Sequence, residues 1–102
     1  MRLKFDEERS EIAAKGRTVV LSPFEFDMLR RVSAAKRGIS PERIFAAQYQ
    51  LDPEGGPDWG KRVIHQRRWH LNRKLKQLGL VIMPHKRGVG CVYELKCLEC
   101  TT

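Results

Sequence analysis

Between Asp58 and Gly90 the 102-residue sequence has almost no acid. Asp58 is the one carboxylate there, against nine basic residues: Lys61, Arg62, Arg67, Arg68, Arg73, Lys74, Lys76, Lys86 and Arg87. This third of the chain therefore carries +8, which equals the net charge of the whole chain. The remainder holds 11 basic and 11 acidic residues and is neutral. Excess charge of one sign gathered in one contiguous stretch points to a polyanionic partner, phosphate above all.

Cysteine is scarce too. Three residues, Cys91, Cys97 and Cys100, cannot all pair and are too few for a disulfide scaffold, which fits a reducing compartment. Cys97-Leu98-Glu99-Cys100 has the spacing of half a zinc site, to which Cys91 or His85 could be imagined as further ligands. A structural zinc site takes four ligands and this pair sits almost at the C-terminus, so no metal is expected. Long apolar runs are absent as well: the stretch from Leu78 to Met83 falls far short of the ~20 residues of a membrane span. Met1-Arg2-Leu3-Lys4-Phe5-Asp6-Glu7 has no apolar run behind its basic residues and does not read as a signal peptide. The expected location is the cytoplasm, at the nucleoid. No phosphate-cradling glycine loop, paired-carboxylate site or nucleophile triad can be placed, so the chain is not expected to be an enzyme or to carry a cofactor.

What the sequence does contain is one α+β domain spanning residues 1–102. Over residues 1–21, Leu3 and Phe5 alternate with charges, Ile12 opens a second segment, Lys15-Gly16-Arg17 turns, and Thr18-Val19-Val20-Leu21 is β-branched and apolar; this predicts a small antiparallel sheet. Three helices are expected over 22–78. Ser22-Pro23-Phe24-Glu25 starts the first, with Ser22 as cap, Pro23 at the first position and Glu25 closing a capping box. Phe26, Met28, Leu29 and Val32 are its apolar stripe, Glu25 faces outward or borders it, and Gly38 is expected to end it near Lys36-Arg37. Ile39-Ser40-Pro41-Glu42 repeats the grammar for a shorter helix with Ile44, Phe45 and Tyr49 as core contacts. Two prolines and two glycines make residues 50–57 a loop.

From Asp58, a cap, a long helix is predicted to run to Leu78 and stop at Gly79. Ile64, Leu71, Leu75 and Leu78 form its buried stripe, and the opposite face carries Arg62, Gln66, Trp69, His70 and Arg73. Over 80–95, Leu80 to Pro84 and Cys91 to Leu95 are strand candidates joined by a basic tip, His85-Lys86-Arg87-Gly88-Val89-Gly90; a short tail occupies 96–102. The donors on the helix suit double-stranded DNA. Gln66, His70, Asn72 and Arg73 are the candidates for base readout, and Arg62, Arg67, Lys74 and Lys76 for phosphate contact. Trp69 either packs on sugar, backbone or a thymine methyl, or packs beneath the hairpin; Trp59 is expected to anchor the core or the loop. Lys86 and Arg87 sit at the hairpin tip, where an arginine can reach a narrow minor groove.

In this order and spacing the elements resemble the effector domain of the OmpR/PhoB class of bacterial response regulators, over about residues 2–95. The motifs are Leu3-Lys4-Phe5-Asp6, Glu11-Ile12, Gly16-Arg17, Leu21-Ser22-Pro23-Phe24-Glu25-Phe26, Ile39-Ser40-Pro41-Glu42, Leu71-Asn72-Arg73-Lys74-Leu75 and Arg87-Gly88-Val89-Gly90. The resemblance implies a winged helix-turn-helix: an N-terminal antiparallel sheet, a three-helix core and a C-terminal β-hairpin wing. It implies a third helix in the major groove, a wing on the adjacent minor groove or backbone, and contact with RNA polymerase through the loop at about 50–58. The chain departs from the family in several places. It has neither the length nor the acidic pocket for a receiver domain; if the chain is complete, control by phosphorylation is expected to be absent. Arg68 stands where the family has an apolar core residue, Arg67, His70 and Asn72 replace its usual His, Arg and Arg, and Cys91 replaces an aromatic. The expected function is transcription regulation by a homodimer on tandem half-sites. The alternatives are a DNA-architectural or recombination-accessory factor and a winged-helix protein-interaction module.

Overall fold

The computed structural model describes residues 3–50, 52, 60–88 and 90–97. Three short strands, β1 (Lys4–Asp6), β2 (Glu11–Ala14) and β3 (Arg17–Val20), form an antiparallel sheet in the order β1-β2-β3. Ile12 pairs with both Phe5 and Val19, which stacks the inward side chains of the three strands in register. Ile12, Ala14 and Val19 are buried, and the Phe5 ring meets Phe26 edge-on at 5.6 Å, so the sheet closes one side of the helical core.

Helix α1 (Pro23–Ala34) begins as its sequence demands: the Ser22 hydroxyl accepts from the Glu25 amide, and the Glu25 carboxylate accepts from the Ser22 amide. The reciprocal pair satisfies two of the helix's otherwise orphaned donors. Its C-terminus differs from expectation. The helix ends at Ala34, and Gly38 serves a separate turn with φ +85°. A Cβ there would lie 2.7 Å from Val92 Cγ2, so only glycine lets this turn sit against the hairpin behind it. Next to it, Ile39 exchanges backbone hydrogen bonds with Tyr93, 3.1 and 2.8 Å, and this bridge sews the chain between the helices to the C-terminal strand. Helix α2 (Pro41–Gln48) is capped by the Ser40 hydroxyl and buries Ile44 completely; Phe45 and Tyr49 are half-buried.

Helix α3 spans Gly60–Leu75 and tightens into one 3₁₀ turn, Lys76–Leu78, before Gly79. The expected cap Asp58, the anchor Trp59 and the loop at 50–58, apart from Gln50 and Asp52, lie outside the described residues. Strands β4 (Leu80–Arg87) and β5 (Gly90–Cys97) form a two-stranded antiparallel hairpin that is longer than its sequence suggests. His85, Lys86 and Arg87 are not a loose tip: they continue β4, opposite Val92, Cys91 and Gly90. The reversal needs two residues, and Gly88, with φ +61°, supplies the left-handed conformation that such a tight turn begins with. Every extra rung pairs backbone groups that a wide loop would leave to water. Ile64, Leu71, Leu75 and Leu78 of the third helical segment meet Met28, Leu29, Val32, Ile44, Leu80, Ile82 and Tyr93 in one core.

Candidate nucleic-acid interface

Helix α3 has one wall fixed by the core and one wall left to solvent. At 100° per residue, Arg62, His65, Gln66, Trp69, His70, Arg73, Lys76 and Gln77 fall on the side away from Leu71, and all eight are exposed. Trp69 keeps 55% of its surface in solvent. It is steadied by its neighbours: the Arg73 guanidinium lies 5.2 Å from its ring centroid and His70 packs edge-on at 5.1 Å. No acidic residue occurs from 59 to 93, so nothing on this segment opposes an approaching anion.

Two clefts flank Arg73. On the α1 side, Glu25, His70, Arg73, Lys74 and Gln77 line a polar hollow of about 380 Å³. On the hairpin side, Trp69, Asn72, Arg73, Lys76, Leu80 and Val81 line an apolar slot of about 260 Å³. Trp69 thus borders the base of the hairpin and remains exposed.

Three residues expected to touch DNA are committed elsewhere. Arg67 points into the junction of the three helices. It donates to Gln48 Oε1 at 2.8 Å and to the Tyr49 hydroxyl at 2.6 Å, and its guanidinium lies 3.9 Å from the Phe24 ring centroid. Gln48 in turn donates to the Phe24 carbonyl and to Asp27, which also accepts from Arg31. A cation held by two hydrogen bonds and an aromatic face is a structural tie. Asn72 is also structural: its amide nitrogen donates to the Ile82 carbonyl at 3.0 Å and its oxygen accepts from the Ile82 amide at 2.7 Å. The side chain imitates one rung of a strand on the edge of β4 and pins the hairpin to the helix.

Lys74 is the third. It donates to Glu25 Oε1 at 2.6 Å, and Glu25, expected to face outward or to border the apolar stripe, is buried with 6% exposure. Burial alone would raise the Glu25 pKa, yet the hydrogen bond and charge of Lys74 and the Ser22 donors hold it below the ordinary 4.5. A carboxyl depressed in the folded state adds stability that is complete above its unfolded pKa and is lost as pH falls through its folded pKa. Stability should therefore decline below about pH 4.5, and Glu25→Gln should flatten that acid limb. Urea midpoints measured from pH 7 down to pH 3 check this; parallel curves for the two proteins would contradict it.

Arg68 occupies the place expected for an apolar core residue and is half-buried. Its guanidinium covers the Tyr93 ring at 5.0 Å and donates to His65 Nδ1 at 3.2 Å, so its stem and flat face replace the missing hydrocarbon. Lys86 is exposed on β4. Arg87 is the last residue of that strand, and its side chain lies outside the described part. Cys91 and Cys97 stand six residues apart along β5, about 20 Å, too far to share an ion, and Cys100 lies outside the described residues. Among those residues no group of three or more histidine, cysteine or acidic side chains could hold a metal. No described helix is long and apolar enough to cross a membrane.

No family model matches this chain, nor does any curated protein. The site therefore rests on its own geometry: an exposed, acid-free helical face, with Arg73 between a polar hollow and an apolar slot, beside a hairpin that extends its basic end into solvent. Sequence pattern alone places Arg62, Gln66, Trp69, His70 and Arg73 on the face that the structure leaves exposed. It does not single out Gln77 or the slot wall of Leu80 and Val81. Gln77 lies on the same helical face and was within reach of the wheel, whereas the slot needs the position of the hairpin.

Proposed function

We propose that this chain is a winged-helix DNA-binding protein that regulates transcription, with α3 in the major groove of duplex DNA and the β4–β5 hairpin on the adjacent minor groove or backbone. One observation carries the reading: the solvent face of α3 offers Arg62, Gln66, His70 and Arg73 with no acid among them. Arginine and glutamine donate to base edges in the major groove, and arginine and lysine neutralise phosphates. The polar hollow on the α1 side, where Lys74 offsets the Glu25 carboxylate, suits a backbone phosphate, with Gln77 and His70 beside Arg73. Two protomers on tandem half-sites, and contact of the loop at 50–58 with RNA polymerase, belong to the same proposal, as does a cytoplasmic, nucleoid-bound location.

With Arg67 and Lys74 tied internally, fewer cations remain for the backbone. Among the described residues, Arg62, Lys76 and Lys86 make three, for which log affinity should fall with log salt at a slope of about −2.7. Fluorescence anisotropy of a labelled duplex across a salt series measures it. A flat salt response would remove the electrostatic footprint and the proposal with it.

A further inference from the structure

The apolar slot beside Arg73 has a composition that phosphate recognition does not require. Its walls are the Trp69 ring on α3 and Leu80 and Val81 at the root of β4, and its rims are the Arg73 and Lys76 cations. Trp69 is more than half exposed and Val81 is half-buried, so these two walls meet solvent, while Leu80, almost wholly buried, belongs to the core behind them. The slot is held open by construction: Asn72, which lines it, is fixed by two hydrogen bonds to Ile82, and this sets the spacing between helix and strand. An apolar notch between two cations is poorly matched to water and to a bare phosphate. It is matched to an apolar group carried between phosphates, and duplex DNA displays one such group in the major groove, the thymine 5-methyl.

We propose that the slot formed by Trp69, Leu80 and Val81 seats the 5-methyl group of a thymine, so that the protein selects a thymine next to the base read by Arg73. The inference rests on the DNA-binding reading and adds a specificity element to it. Lys76 then holds the flanking backbone, with Arg73 on the neighbouring base, while the methyl leaves water against the indole.

The test uses the full chain and the duplex most enriched from a pool of random duplexes, prepared once with thymine and once with deoxyuridine in its place. Removing the methyl leaves every hydrogen bond of the base pair intact. The native protein should bind the uracil duplex about fourfold more weakly for each methyl seated, the factor that goes with burying one methyl-sized group. Trp69→Ala should bind the thymine duplex more weakly and show no difference between the two duplexes, while Trp69→Phe, which keeps an aromatic wall, should retain part of the difference. Equal binding of both duplexes by the native protein would overturn the slot assignment and leave the DNA-binding reading standing. Undiminished discrimination by Trp69→Ala would also overturn it. Binding of neither duplex at any salt concentration would overturn both readings.

Discussion

Arg73→Ala is expected to lower affinity for the selected duplex by roughly ten- to a hundredfold, about 1.4–2.7 kcal/mol, and to leave the fold intact. Arg73 is exposed and its one described side-chain contact is the Trp69 ring, so its removal opens no cavity and strands no buried partner. Its place between the two clefts puts it at the centre of the α3 face. A guanidinium there can fork onto a guanine edge, and loss of such a contact falls on the specific complex more than on a random duplex. The measurement is a pair of binding curves, selected and scrambled duplex, for native protein and variant, with thermal unfolding as control. If the ratio between the two duplexes is unchanged in Arg73→Ala, it is not a base reader.

Asn72→Ala should act in the opposite way, through stability. The substitution leaves the amide and the carbonyl of Ile82 without their partners, and Ile82 is fully buried. An unsatisfied buried backbone group costs about 1–3 kcal/mol, so about 2–4 kcal/mol is expected for the two. For a domain of this size that lowers Tm by roughly 10–20 °C. Asn72→Asp keeps the acceptor, removes the donor and sets a carboxylate oxygen against the Ile82 carbonyl; it should be at least as damaging. Chemical denaturation of both variants against the native protein measures the effect. A loss below about 0.5 kcal/mol for Asn72→Ala, the level of an ordinary surface substitution, would mean that the hairpin does not depend on this tie. A small loss of stability with a large loss of DNA affinity would return Asn72 to the role its sequence position first suggested.

The contrast between Arg73 and Asn72 shows what was legible in the sequence. Local signals act directly: Ser22-Pro23 and Ser40-Pro41 start helices where they stand, and the alternation at Phe5, Ile12 and Val19 builds the sheet. The solvent face of α3 followed from its angular distance to Leu71. The same geometry could have diverted Arg67, which lies only about 40° from Leu71 and 60° from Ile64 on the helical wheel, within the buried stripe. Its charge made it look like a surface residue, because the aromatic face and the polar groups that receive it come from Phe24, Gln48 and Tyr49 on other elements. Lys74 and Glu25 are 49 residues apart and meet only because α1 and α3 pack. Asn72 meets Ile82 only because the hairpin folds back on the helix. Charge counts mark where a polyanion should bind, but which cations are free to bind it is decided by tertiary contacts.

The most direct measurement is to offer the full chain a pool of random duplexes, recover the bound fraction, and sequence it against the input. A short enriched motif is expected, containing a guanine and an adjacent thymine, repeated at about one helical turn if two protomers bind together. Recovery of a bound fraction with the composition of the input, or recovery of none, would contradict sequence-specific recognition by α3.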